Sequence, residues 1–135
     1  MNKPSKTARN ATLKIGIVFD DSLDSDDGVA QYVKRLGKWL SSEGHEVRYL
    51  VGQTKMKNWE KGRVYSLSRN IPVFFNGNRL SIPLPARQSR INEILQYENF
   101  DVIHVQMPFS PFMAKKVIDQ AHKNSAILGT FHILP

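Results

Sequence analysis

Leu13-Lys14-Ile15-Gly16-Ile17-Val18-Phe19 runs directly into Asp20-Asp21-Ser22-Leu23-Asp24-Ser25-Asp26-Asp27-Gly28, after which apolar residues return at Val29, Tyr32, Val33, Leu36, Trp39 and Leu40. The first seven residues are apolar nearly throughout, as in a strand buried on both faces, and such strands belong to parallel sheets with helical crossovers. The second apolar set recurs at helical spacing and stops at Glu43-Gly44, where glycine takes the left-handed cap. Sheets of this kind bind ligands at the carboxyl ends of their strands, beside helix N-termini with unpaired N–H groups. Residues 20–28 are therefore where chemistry is expected.

Outward from this unit, residues 46–51 predict a second strand, 52–62 a polar, lysine-rich connection and 64–68 a third strand. Residues 71–75 and 80–84 flank Asn76-Gly77-Asn78, and Asn-Gly between apolar runs is a strong hairpin signal. Helix-like spacing of Ile91, Ile94, Leu95 and Tyr97 places a helix over 86–97. A strand over 101–106, a loop over 108–111 and a helix striped by Phe112, Met113, Val117, Ile118 and Ala121 follow, then a last strand over 125–132. The order predicts an α/β fold: a Rossmann-like, mostly parallel sheet with helices on both faces and one hairpin insertion. No helix follows the last apolar strand, so the domain, 13–135, is expected to be incomplete at its C-terminus and completed in cis or by another chain. Residues 1–12 are polar and basic without an apolar core, and read as a flexible basic tail.

The 135 residues suffice for one domain with a real core. Cysteine is absent, which excludes disulfides, thiolate metal sites and cysteine nucleophiles and fits a reducing, cytoplasmic setting. No run of about 18 apolar residues occurs, so no membrane-spanning helix is expected. The net charge of +7 favours phosphate-rich partners without choosing among them. The basic residues are scattered, while five aspartates crowd into 20–27.

Asp20-Asp21 at the end of a first strand could hold Mg²⁺ through hard oxygen ligands. A phosphorelay-type site also needs an acceptor aspartate and a lysine at later strand ends, where this chain has Gln106-Met107-Pro108 and His132-Ile133-Leu134. A phosphatase-type Asp-x-Asp is broken by Ser22, so no metal site is expected. The dinucleotide fingerprint needs three glycines and the loop offers only Gly28, which disfavours a standard NAD site. Gly28 still lets a ligand approach helix amides that a side chain would screen. His104, between Ile103 and Val105, reads as a hydrogen-bonded core histidine. His45 reads as a turn residue and His122 as a helix-surface residue. His132 stands at a strand's carboxyl end, with Thr130 on the same face.

Six segments in register then carry a resemblance: Lys-Ile-Gly-Ile-Val at 14–18, Asp24 with Asp27-Gly28-Val29, residues 36–47 ending Glu-Gly-His-Glu-Val, Phe-Asn-Gly-Asn at 75–78, Phe-Asp-Val-Ile-His-Val-Gln-Met-Pro at 100–108, and Thr-Phe-His at 130–132. Together they resemble the N-terminal half of a family 4 glycosyltransferase of GT-B architecture, similar to the phosphatidylinositol mannosyltransferases. The resemblance implies the truncated, acceptor-side half of a two-domain cleft in a retaining enzyme that moves a hexose from a nucleotide-sugar donor to a hydroxyl acceptor, such as a membrane lipid. It implies His132 beside the transferred sugar as the catalytic residue. Asp24, Asn76, Gly77 and Asn78 would line the acceptor pocket, and Gly28 the donor's phosphates. It implies no metal, no cofactor beyond the nucleotide sugar as substrate, no nucleic acid, and a cytoplasmic location at the inner face of the cell membrane. It also implies that the chain alone transfers little sugar. The chain departs from the pattern where Asp27-Gly28 replaces Gly-Gly, placing a negative charge at the phosphate approach. A contrasting reading is a non-enzymatic Rossmann-like module that docks on a partner or an anionic membrane. Arg87 and Arg90 beside an apolar helix face would favour membrane contact, and Glu93 and Glu98 oppose it.

Overall fold

The computed structural model describes residues 11–84, 87–107, 113–121 and 123–132, with residues 69–73 and 79–84 by backbone alone. The basic tail through residue 10, the 108–112 loop with Phe112, and His122 lie outside the described residues. Strands β1 (Lys14–Phe19), β2 (Glu46–Val51), β3 (Asn58–Trp59), β4 (Gly62–Ser66), β7 (Val102–Gln106) and β8 (Ala126–Thr130) form one sheet in the order β3-β4-β2-β1-β7-β8. All pairings are parallel except β3 with β4. Strands β5 (Arg69–Phe75) and β6 (Asn78–Leu84) pair antiparallel as a separate hairpin. Helices α1 (Gly28–Ser42), α2 (Gln88–Glu98) and α3 (Met113–Ala121) complete the described elements.

The side chains of β1 alternate between two cores. Ile15, Ile17 and Phe19 pack with Ala30 and Val33 of α1 and with Val47, Tyr49 and Val51 of β2. Val18 faces the other way, into a core of Leu50, Tyr65, Ile103 and Val105 closed by Ile91 and Ile94 of α2 and Met113 and Val117 of α3. One helix on one face and two on the other make the sheet doubly wound, as the Rossmann-like reading predicts. The sheet runs outward from β1 through β2 on one side and β7 on the other. Its topological switch point is therefore the gap between β1 and β7, where such sheets bind ligands.

Helix α1 starts at Asp27, whose carboxylate accepts from the Ala30 amide at 2.8 Å, and ends where Gly44 turns left-handed at φ 93°. His45 accepts the Leu13 amide on its Nδ1 at 3.1 Å, tying that turn to the start of β1. The 52–62 connection contains a strand that its composition does not predict: β3 pairs with β4 through a two-residue turn, Glu60 and Lys61, both at positive φ. β4 accordingly begins at Gly62, two residues before the predicted strand. The Asn76-Gly77 turn has both residues at positive φ, 50° and 77°, as Asn-Gly requires. β8 lies at the sheet edge with Ile127 and Leu128 exposed. Among the described residues no helix is long and apolar enough to cross a membrane.

Candidate functional site

The ends of β1 and β7 and the start of α1 enclose a cleft of about 650 Å³. Phe19, Asp20 and Asp21 come from β1 and its exit, Asp27, Gly28 and Val29 from the head of α1, Gln106 and Met107 from β7, and His132 from beyond β8. Two of the sequence-predicted residues, Gly28 and His132, thus share one cavity although 104 positions separate them. A Cβ on Gly28 would meet nothing within 4 Å, so the glycine opens the cleft to the helix end and is not required by local packing. Among the described lining residues none is lysine or arginine, and three are aspartates.

The loop that shapes the cleft is pinned from several sides. The Gly52 amide donates to the carbonyls of Phe19 and Asp21 at 3.1 and 3.0 Å, which joins the exits of β1 and β2. Asp20 Oδ1 accepts from the Met113 amide at 3.0 Å, so a carboxylate just past the end of β1 anchors the first described turn of α3. Asp20 Oδ2 is buried without a hydrogen-bond partner among the described residues. Asp27 accepts from Ala30 N and from the Ser25 hydroxyl at 2.6 Å. The backbone bond from Ala30 and then the Ser25 hydroxyl hold its carboxyl below the usual range, so it is ionised at the helix N-terminus. The departure from Gly-Gly is therefore a helix cap, which consumes amides that a phosphate could otherwise use.

On the far wall, Met107 adopts a left-handed backbone, φ 53°, uncommon for an unbranched residue other than asparagine or glycine. Its N–H donates to Thr130 O at 2.9 Å, and the His132 amide in turn donates to Met107 Sδ at 3.4 Å. The bend lets Gln106 and His132 meet: His132 Nε2 and Gln106 Oε1 are 2.7 Å apart. Tyr32 of α1 meets the same ring edge-on, with centroids 4.8 Å apart. His104 is buried and bonds Thr130 Oγ1 through Nε2 at 2.6 Å, the core role its flanking residues predict. Burial, and then the neighbouring His132, push its pKa down, so His104 is neutral.

Asp24 lies in an adjoining cleft of about 410 Å³ with Thr54, Lys55 and Ser68, and Asp20 and Asp21 line both cavities. Its carboxylate accepts from Thr54 Oγ1 at 2.8 Å and the Lys55 amide at 3.0 Å. The Lys55 amide first, and Thr54 next, lower its pKa. Asn76, Gly77 and Asn78 stand apart at the exposed tip of the β5–β6 hairpin and line neither cleft. A third cavity of about 350 Å³, between α2 and α3, is lined by Asn92, Gln96, Asn99 and Gln120 and contains none of the predicted site residues. Sequence reasoning passed over Asp20's anchoring bond and Gln106. The only signal for Gln106 was a polar residue closing an apolar strand at its carboxyl end.

Residues 27–135 match Glycosyltransferase Family 4. The chain is similar to three proteins named phosphatidyl-myo-inositol mannosyltransferase. That of Propionibacterium freudenreichii subsp. shermanii is 32% identical over 127 residues, covering 89% of this chain and 33% of that protein. The Mycobacterium leprae protein is 29% identical over 121 residues, with 89% and 32% covered. The Mycolicibacterium smegmatis protein is 27% identical over 124 residues, with 89% and 31% covered. The chain spans about a third of the length of these relatives. With the family match extending over most of the chain and the cleft lying at the sheet's switch point, this protein belongs to glycosyltransferase family 4.

Proposed function

We propose that the chain forms the acceptor-side wall of a retaining glycosyltransferase that moves a hexose from a nucleotide sugar to a hydroxyl of a lipid-linked acceptor. The observation that carries this reading is the convergence of Gly28 and His132 in one cleft at the β1–β7 switch point of a family 4 chain. The acceptor class follows the relatives, whose names specify mannose transfer and phosphatidyl-myo-inositol. In the transfer, the acceptor oxygen bonds to the anomeric carbon while the bond from that carbon to the diphosphate breaks. The leaving diphosphate keeps the electron pair, and the acceptor's proton is released.

In this reading the hexose sits between Gly28 and His132, where His132 touches it. The diphosphate passes over Gly28, where nothing obstructs it. The acceptor occupies the Asp24 cleft next door. Asp24 is ionised and already bonded twice, and its remaining lone pairs accept from acceptor hydroxyls. Asn76, Gly77 and Asn78, apart at the hairpin tip, offer amides to the part of a long acceptor that extends beyond this cleft. With no basic residue among the described lining of the cleft, the donor's charge is met by a second domain, and the isolated chain turns over little or no sugar. The setting that fits a lipid-linked acceptor is the cytoplasmic face of a membrane.

The test is a titration of the ¹⁵N-labelled chain with GDP-mannose and UDP-glucose. Shifts are expected at Gly28, Val29, Met107 and His132 with millimolar affinity, and Gly28→Val abolishes them. Shifts confined to the α2–α3 cavity, or rapid sugar transfer by the 135-residue chain alone, would overturn the reading.

A further inference from the structure

The cleft's most enclosed polar side chain is Gln106, which is 1% exposed. Its two amide ends have different fates. Oε1 meets His132 Nε2 at 2.7 Å, whereas Nε2 is buried with no hydrogen-bond partner among the described residues. A buried amide N–H₂ without an acceptor costs free energy, and side chains are rarely left so without a reason. Gln106 also lines the cleft, so a small shift of its amide would bring Nε2 to an acceptor bound there. An oxygen acceptor that is neutral suits the place best, since Asp20, Asp21 and Asp27 line the same cavity and repel an anion.

We propose that Gln106 is a positioning residue: Oε1 accepts the His132 Nε2–H and fixes the ring at the rim of the cleft, while Nε2 donates to a hydroxyl oxygen of the hexose bound there. The bond makes Nε2 a protonated nitrogen of His132 and turns Nδ1 away from Gln106. Tyr32 packs edge-on against the ring, so rotation is opposed from both the sheet and α1. The hydroxyl role rests on reading this cleft as a sugar site. The ring contact does not.

The experiment uses the full 135-residue chain and separates the two halves. First, the ring nitrogens of His132 are observed by ¹H–¹⁵N spectroscopy. A protected Nε2–H signal is expected. It should persist in Gln106→Glu, which keeps an acceptor, and vanish in Gln106→Met, which has similar length and no acceptor. Beside the ring stand Tyr32 of α1 and His104 of β7, and Asp20, Asp21 and Asp27 line the same cleft. Gln106→Glu adds a carboxyl against the ring and Gln106→Met adds no titratable group, so a loss shared by both variants reports the missing donor. Second, free mannose and glucose are titrated in. Both variants lose the Nε2 donor, so affinity should fall about ten-fold in each, the worth of one hydrogen bond to an uncharged partner. A merely structural Gln106 predicts no such loss in Gln106→Glu once its fold is confirmed by an unchanged backbone spectrum.

Each result bears on a different claim. An Nδ1–H tautomer, or an Nε2–H signal unchanged in Gln106→Met, overturns the positioning role. Wild-type affinity in Gln106→Glu overturns the donor role alone. Failure of both sugars to shift Gln106 or His132 in the wild-type chain overturns the sugar reading and the donor role with it, while the ring signal still decides the positioning role.

Discussion

At residue scale, Asp27 shows how one side chain can serve the fold while complicating the site. Its sequence reading is a negative charge where phosphate should approach. In the structure it is the N-cap of a 15-residue helix. Removing such a cap costs about 1 kcal/mol, so Asp27→Ala should lower stability by about that amount in urea unfolding, and Asp27→Asn by a few tenths. Equal loss in both variants would show that charge at the helix end outweighs the cap bond. Because the carboxyl's pKa is depressed in the folded state, the charge-dependent part of this contribution is present above its ordinary value of 3.8. It fades as pH falls through the lower folded value. Residue roles were partly legible beforehand. His104 was readable because its apolar neighbours placed it inside a strand. Gln106 and Asp20 were not, because their roles come from partners 26 and 93 positions away, a separation no local pattern encodes.

At element scale, the two tight hairpin turns make a controlled comparison. Both connect antiparallel strands through two residues at positive φ, the geometry whose twist matches the strands. One is spelled Asn76-Gly77 and was legible. The other is spelled Glu60-Lys61 and was not, since long side chains disfavour that backbone and a two-residue strand such as β3 carries no period to detect. Tertiary contacts supply what the turn sequence lacks. Trp59 Nε1 donates to Lys34 O at 2.9 Å, and the Ser41 hydroxyl donates to Glu60 O at 3.1 Å, so α1 holds the β3–β4 corner in place. Replacing Glu60-Lys61 by Asn-Gly should therefore stabilise the protein by about 1 kcal/mol, since the unfavourable left-handed placement is relieved while the backbone carbonyl bonded by Ser41 remains. An unchanged or lower midpoint of urea unfolding would mean that Glu60 or Lys61 contributes more through its side chain than its backbone costs. The longer elements are legible for the converse reason: β1, β2 and β7 are buried on both faces and read as apolar runs, while α1 buries one face and reads at the helical period.

At the scale of the whole molecule, the charge is segregated. The chain carries a net +7, yet the cleft at the carboxyl ends of the strands is walled by aspartates. A polyanion is drawn to the protein at long range, but within a Debye length of about 8 Å it meets repulsion at the cleft. This is why the proposed transfer needs cationic groups from outside the described lining. The sheet's opposite end is organised around a buried acid. Glu98, 3% exposed, ends α2 and accepts from Lys14 of β1 at 2.8 Å, Arg48 of β2 at 3.0 Å and the Tyr65 hydroxyl of β4 at 2.9 Å, tying one helix to three strands. Burial alone would raise its pKa. The Lys14 and Tyr65 hydrogen bonds, with the charges of Arg48 and Lys14, outweigh burial and leave the carboxyl below its ordinary 4.5. A depressed carboxyl stabilises the folded state fully above its unfolded value and loses that contribution as pH falls through the folded one. Glu98→Gln leaves two cations without their counter-charge. It should cost about 2–3 kcal/mol at pH 7, less than for a fully enclosed pair because Lys14 and Arg48 remain partly solvated. As pH falls below the ordinary 4.5 and through the lower folded value, the gap between the two proteins should narrow. Urea unfolding of both proteins across this range decides the point: a gap that stays constant with pH would mean that Glu98 acts through shape and hydrogen bonding, and that its charge does not hold the four elements together.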